Sequence, residues 1–568
     1  MHVVRFRCLD LLYAISDHGY DIRCEHFHQI ILCGRLPTIH RLQKMRNVPA
    51  EAPLFIDALQ HTIDNPTASH RWHRLTELYL KESDPALLAF ARAALIEHIP
   101  EQGIGGFFRS TFFAHVTGDP SFDAQSGKIL QQIMPFDPER LMAYANIQWG
   151  LVVAREIDRT QFTESLRNSR LDELHRALAN HLQKKITPPH KPRGIASIQK
   201  VALVLPSLVD LLHTPTVFGL RQAKILSELG FEVHIFSPQE QSNPDMHHYL
   251  STNYRVHINQ INLEQIQEQL PANIVMTFCN SEFSLMRRWD EIYQKIGLFD
   301  PDLVYFVGLF SPLVSLLHAS YPVLGLCVHS TPPIAAVDVW LTASAAQDRR
   351  LTSTWAPSTP PAWGHLHPYR IVRDTASQPT SRAQLQLPED AIVFVSVGFR
   401  LNDEIKGAWA QHMLDFMHRH PDSIWLLVGG SGLLPEALQG IADHQVRCLP
   451  HQAGIQGILA CCDIYVNPPR IGGGFSVAEA MAEGLPCLAF AESDGGSKLG
   501  DYAVKDQTAY FSLLESLVAD RALRKKMGTS LRELFASTLD LEKSGPSLLA
   551  ACQLTLERFH HRMQQATS

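Results

Sequence analysis

The sequence lacks the marks of several function classes. It has no block of Lys and Arg, and its formal net charge is -7. Nucleic acid is therefore not expected as a partner. It has ten cysteines but no C-x-x-C pair. Several sit in apolar runs, where a thiol packs as a small hydrophobe, so a reducing compartment without structural zinc is expected. The 29 histidines are scattered, with no H-E-x-x-H or comparable ligand spacing, and no Asp-x-Asp element sits at a strand end. No metal site is expected. Arg5, Arg7, Asp10 and Asp17 interrupt the N-terminal stretch MHVVRFRCLDLLYAISDHGYD, and no small-residue cleavage site follows; no signal peptide is expected. One uncharged stretch, Val307 to Val328, is long enough to span a bilayer. Pro312, His318 and Pro322 break it, and a buried helix followed by a buried strand explains it better. No membrane span is expected, and the location implied is cytoplasmic.

What is present is an ordinary globular composition, 45% hydrophobic and 19% charged over 568 residues, enough for roughly three or four domains. Residues 1–185 read as an all-α, repeat-like domain: RWHRLTELYLKES and PALLAFARAALIEHI carry apolar residues at 3- and 4-spacing. Residues 186–199, within KKITPPHKPRGIASIQ, are rich in Pro and basic residues and read as a linker. Residues 200–383 read as a first Rossmann-like domain, with strands in KVALVLPS, FEVHIFSP, PANIVMTF, PDLVYFVG and YPVLGLCV. The Pro-, Thr- and Ser-rich residues 352–383 suggest the crossing to a second. Residues 384–568 read as that second Rossmann-like domain, with strands in AIVFVSVGF, SIWLLVGG, QVRCLP, DIYVNPP and LPCLAFA and a helical tail. Two open parallel sheets place ligands beyond the carboxyl ends of their strands, in a crevice where they face.

The segment DIYVNPPRIGGGFSVAEAMAEGLPCLAF says most about chemistry. A strand ends near Val466, Asn467 follows, and three glycines, Gly472, Gly473 and Gly474, lead through Phe475 into a helix expected to begin near Ser476. Such a turn lets backbone N–H groups approach a phosphate, and the helix N-terminus favours its charge. Glu479, expected in the first turn, can accept hydrogen bonds from ribose hydroxyls. In VSVGFRLNDEIKGAW, Arg400 and Lys406 follow another strand; a cation there would stabilise a leaving diphosphate. They could equally pair with Asp403 and Glu404. His213, in PSLVDLLHTPTVFGL, follows the first strand and could act as a base on an acceptor or hold a phosphate oxygen, or simply stand at an exposed helix start. His451 follows a strand and could lie against the nucleoside. His329 reads as structural.

These segments resemble known families. The glycine loop followed by FSVAEAMAEGLP is similar to the donor motif of retaining GT-B glycosyltransferases. Residues 200–500 resemble glycosyltransferase family 41, the protein O-GlcNAc transferases and the bacterial high-molecular-weight-adhesin N-glycosyltransferases. LLHTPTVFGL resembles that family's His-Pro-Thr loop, and FRLNDEIKGAW its phosphate-lysine segment, with Arg400 in the lysine's place and Lys406 nearby. The resemblance implies a GT-B fold, two Rossmann-like domains facing a crevice behind an all-α domain. It also implies a UDP-hexose donor substrate and no cofactor. The acceptor implied is a protein, adhesin-like or another secreted or surface protein, modified on Asn or Ser/Thr. Ser476 and Glu479 would contact phosphate and ribose. A small-molecule, lipid or polysaccharide acceptor, and a non-catalytic binding protein, are the alternatives. The sugar, and retention or inversion, stay open.

Overall fold

The computed structural model describes residues 52–133, 138, 141–142, 144–146, 165, 167–186 and 195–567, except 209–210, 212, 241–262, 281–282, 328–331, 344–361, 373–379, 431, 453 and 471. Residues 1–51, His329 and most of the linker expected at 186–199 lie outside the described residues.

Helices occupy Ala52–Asp64, Ser69–Tyr79, Pro85–His98, Gly103–Thr117, Ser121–Ile133 and Leu171–Lys185. Their ends follow local chemistry. Pro85 opens its helix, and the Asp84 carboxylate accepts the Ala86 N–H at 2.9 Å, which satisfies a donor the helix cannot. Gly118, at φ 70°, terminates Gly103–Thr117 in the left-handed conformation. In that helix Phe107, Phe108, Phe112 and Phe113 are all buried, with Trp72 centred 5.5 Å from Phe112.

A seven-stranded sheet follows. Its strands are β1 (Lys200–Val204), β2 (Glu232–Ser237), β3 (Val275–Phe278), β4 (Leu303–Val307), β5 (Val323–Leu326), β6 (Val339–Thr342) and β7 (Trp363–Leu366). They pair in parallel in the order β3-β2-β1-β4-β5-β6-β7. Alternation along β1 decides what each face meets. Ala202 and Val204 join a core shared with the N-terminal helices. Val201 and Leu203 join a second core on the opposite face. The shared core fixes the helical region to this sheet: Leu171–Lys185 packs on Pro312–His318, and the ring of His175 meets Phe310 edge-on at 4.9 Å. The uncharged run 307–328 is, as expected, a buried helix followed by a buried strand. Among the described residues no helix is long and apolar enough to cross a membrane.

The second sheet holds β8 (Val393–Val397), β9 (Ile424–Gly430), β10 (Val446–Pro450), β11 (Ile464–Val466) and β12 (Cys487–Leu488), parallel in the order β10-β9-β8-β11-β12. Helices Gln507–Ala519 and Arg521–Thr538 pack into its core through Tyr510, Leu514, Leu531 and Phe535. The chain then returns. Residues 370–371 and 539–541 run side by side, with Ile371 N–H donating to Leu539 O at 3.0 Å and Leu541 N–H to Ile371 O at 3.0 Å. The last helix, Gly545–Thr567, lays Leu548, Ala551 and Cys552 on the second face of the first sheet. Arg562 Nε holds Asp338 at 2.8 Å there. The architecture is α/β, two parallel Rossmann-type sheets preceded by an all-α region among the described residues.

β6 and β7 were not anticipated. β7 falls inside the Pro- and Thr-rich stretch read as a crossing; it is a four-residue edge strand whose Trp363 is half exposed beneath the Arg558 guanidinium, 3.7 Å from the ring centre.

Candidate functional site

Strand order reverses once in each sheet, between β1 and β4 in the first and between β8 and β11 in the second. Loops leaving the carboxyl ends of those strands diverge to opposite faces and leave a ligand-sized gap. In the second sheet these are residues 398–406 and 467–473, the two segments that carry Arg400 and the glycine loop.

The glycine loop ends at Gly473, φ 89°, which caps the helix Gly474–Ala482. The helix starts two residues earlier than expected, at Gly474, so Glu479 stands a turn and a half in rather than in the first turn. Phe475 is half exposed on the first turn. Arg400 caps the short helix Leu401–Glu404 and lies against the loop: a Cβ on Gly472 would stand 3.7 Å from its Nη2. Arg400 Nη2 also reaches Glu404 Oε1 at 3.2 Å. The pairing with Glu404 foreseen for both cations is thus present for Arg400. Lys406 is exposed at the start of Gly407–Arg419.

Beneath the loop lies a residue that motif reading passed over. The Arg470 side chain is 5% exposed. Its Nε donates to Asn467 Oδ1, its Nη1 to Glu404 Oε2 and its Nη2 to Val397 O, each at 2.8 Å. Asn467 is fully buried, so it holds the loop from below, with its carbonyl accepting from Tyr510 Oη at 3.1 Å. Ser476 Oγ is drawn into the same network, accepting from Tyr465 Oη at 2.8 Å and lying 3.1 Å from Gly473 O. Burial raises the Tyr465 phenol above its ordinary range, which keeps it a donor.

Around the same edge stand apolar and aromatic groups. Phe399 is 73% exposed and stacks on His451, the residue after β10, with 4.9 Å between ring centres. Leu433, after β9, is also exposed. At the N-terminus of Gly474–Ala482 the Asp494 carboxylate fills the space beside Gly474 and pairs with Lys498 Nζ at 3.4 Å.

The loop after β1 carries His213. It caps the helix Thr214–Glu228 and is half-buried, its Nδ1 2.9 Å from Thr216 Oγ1. Behind this reversal point lies a second group missed in the sequence, Glu240. Its backbone N–H donates to Pro206 O at 2.7 Å, and its Oε1 accepts from Trp289 Nε1 and Ser311 Oγ, each at 2.7 Å. Burial pushes its carboxyl up to about 7, against those hydrogen bonds. The only signal was polar Gln239 and Glu240 directly after a buried strand. The structure therefore gathers Arg400, Gly472–Gly474, Phe475, Ser476, Asn467 and Glu479 at one reversal point, with His451 one loop away, and puts His213 at the other.

No family model and no curated protein matches the chain. Solved structures similar to it include a mutant O-GlcNAc transferase of Thermobaculum terrenum, 14% identical over 92% of this chain and 97% of that one, TM-score 0.47. Another is WaaG, a glycosyltransferase involved in lipopolysaccharide biosynthesis, 13% identical over 62% and 99%, TM-score 0.36. A third is the N-terminal domain of Candida albicans trehalose-6-phosphate phosphatase, 10% identical over 65% and 100%, TM-score 0.43. Likenesses this loose leave function to be argued from the chain's own site.

Proposed function

We propose that the chain is a metal-independent glycosyltransferase that moves a hexose from a UDP-sugar to an Asn, Ser or Thr side chain of a protein, in the cytoplasm. The observation that carries this is the second reversal point. A glycine loop opening a helix lies there against an arginine, the donor and charge set that a diphosphate requires. Phe399 and His451 offer a face to a planar base, and Glu479 a carboxylate to ribose.

In this reading the chain's own residues do the following. The loop's N–H groups and Arg400 bind the diphosphate and take up the charge that develops as the sugar leaves; Lys406 is the second cation within the same segment. His213 receives or orients the acceptor's proton from the first sheet. The helical region is packed onto that acceptor-side sheet, which supports a large acceptor; a small glycoside or lipid acceptor is the competing reading. The test is to incubate the protein with radiolabelled sugar nucleotides and a host lysate. Consumption of a UDP-hexose with label in protein supports the proposal, label in lipid or a small glycoside favours the alternative, and no donor consumption refutes both.

A further inference from the structure

We infer that Arg470, buried where no phosphate can touch it, is a positioning residue that sets the charge of the diphosphate site. The inference rests on the proposed nucleotide reading and goes beyond it by naming what keeps the site cationic.

Glu404 is the key. Its carboxylate is 7% exposed and shared between two guanidiniums, Arg400 at Oε1, 3.2 Å, and Arg470 at Oε2, 2.8 Å. Two positive charges against one negative leave the cluster at +1. Arg470 is as buried as Glu404, while Arg400 is 53% exposed, so the two buried partners neutralise each other and the surplus charge appears on Arg400, beside Gly472. Without Arg470 the same carboxylate would have only Arg400 to pair with. The cluster would then be neutral, and Arg400 would bring no net charge to a ligand.

The backbone around the guanidinium is built to this end. A Cβ on Gly398 or on Gly473 would collide with Arg470 nitrogens. The loops after β8 and β11 close down on Arg470 at these two glycines, and a side chain at either would have to displace the guanidinium from its bonds. Its bonds to Val397 O, Glu404 and Asn467 tie together both strands that flank the reversal point. A salt bridge placed for stability alone has no need to lie under the glycine loop or to share its carboxylate with an exposed arginine.

The test compares UDP with uridine, which lacks the phosphates, by calorimetry on the full chain. Arg470→Met should lose at least about tenfold in UDP affinity while uridine stays within about twofold, because only the phosphates feel the lost charge. The double variant Arg470→Met/Glu404→Gln, which restores +1 to Arg400, should recover most of the loss. A purely structural role predicts no such recovery. Should Arg470→Met not fold, Arg470→Lys keeps the charge in place and should bind UDP within about threefold of wild type. Equal losses for UDP and uridine, no recovery in the double variant, or a tenfold UDP loss in folded Arg470→Lys would each overturn the inference. Wild-type protein that binds no nucleoside diphosphate overturns the nucleotide reading itself, and this inference with it.

Discussion

The ring of Phe399 lies on the imidazole of His451, tilted 27° and 4.9 Å from it centre to centre. The two residues come from loops after β8 and β10, the strands on either side of β9, so their stack bridges the carboxyl edge of the second sheet. If the base of the donor lies against this pair, Phe399→Ala should weaken uridine and UDP alike, by about 1–3 kcal/mol, the usual worth of one stacked base. Calorimetry with uridine decides it; an unchanged affinity removes the pair from the site.

Glu479→Ala should weaken UDP binding by about 1–3 kcal/mol, as loss of a charged hydrogen-bond partner does. The loss should be smaller with 2′-deoxyuridine diphosphate, which already lacks one hydroxyl. Equal losses for the two nucleotides would mean that Glu479 supports the helix rather than the ribose.

His213→Ala should cut turnover by about 10²–10⁴-fold with UDP affinity nearly intact if the residue serves as the base. A pH–rate profile then separates two roles. A limb near the histidine range that disappears in the variant marks a base, whereas a uniform loss at every pH marks a residue that only orients the acceptor. Wild-type rates would place His213 outside the chemistry.

The proposed leaving-group charge falls on Arg400, so the proposal needs no metal ion at the diphosphate. Transfer measured in excess EDTA should equal transfer without it. Activity lost to EDTA and regained with manganese would show that a metal does what is assigned here to the arginine.

Glu240 should make the fold less stable as pH rises. Its carboxyl is raised from 4.5 to about 7 by burial, so the native state holds a proton that the unfolded chain gives up first. The stabilisation is complete below pH 4.5 and is lost as pH climbs through about 7. Relative to wild type, Glu240→Gln should therefore gain stability between those limits, by roughly 2–3 kcal/mol. Thermal unfolding of both proteins at pH 5 and pH 8 measures the difference; parallel curves would show that Glu240 does not titrate with folding.

How much of this could be read in advance depended on how local each cause was. β1 to β5 and β8 to β12 are apolar runs bounded by Pro, Gly or Asp, and such runs announce buried strands without tertiary help. β7 did not announce itself, because WGHL has too few residues for a period and its neighbours are prolines. The glycine loop was legible since a backbone requirement is written directly as residue type. Arg470 was not. It sits two residues before those glycines, and nothing in the string tells whether a guanidinium points to solvent or beneath the loop. The helix start moved from Ser476 to Gly474 for a related reason: a glycine in the left-handed conformation at 473 lets the helix begin with no side-chain cap, whereas sequence alone favours the serine.

The return of the final helix to the first sheet has a consequence for how the chain is made. During synthesis β1 to β7 emerge before the second sheet, while the last helix, which packs on β5 and β6 beside Leu324 and Leu341, is made only after the whole second sheet has been translated. That part of the sheet lacks its last helix until residues 545–567 have been made. The first domain is thus completed last, and assembly of the molecule ends with a latch rather than with the finishing of its second half.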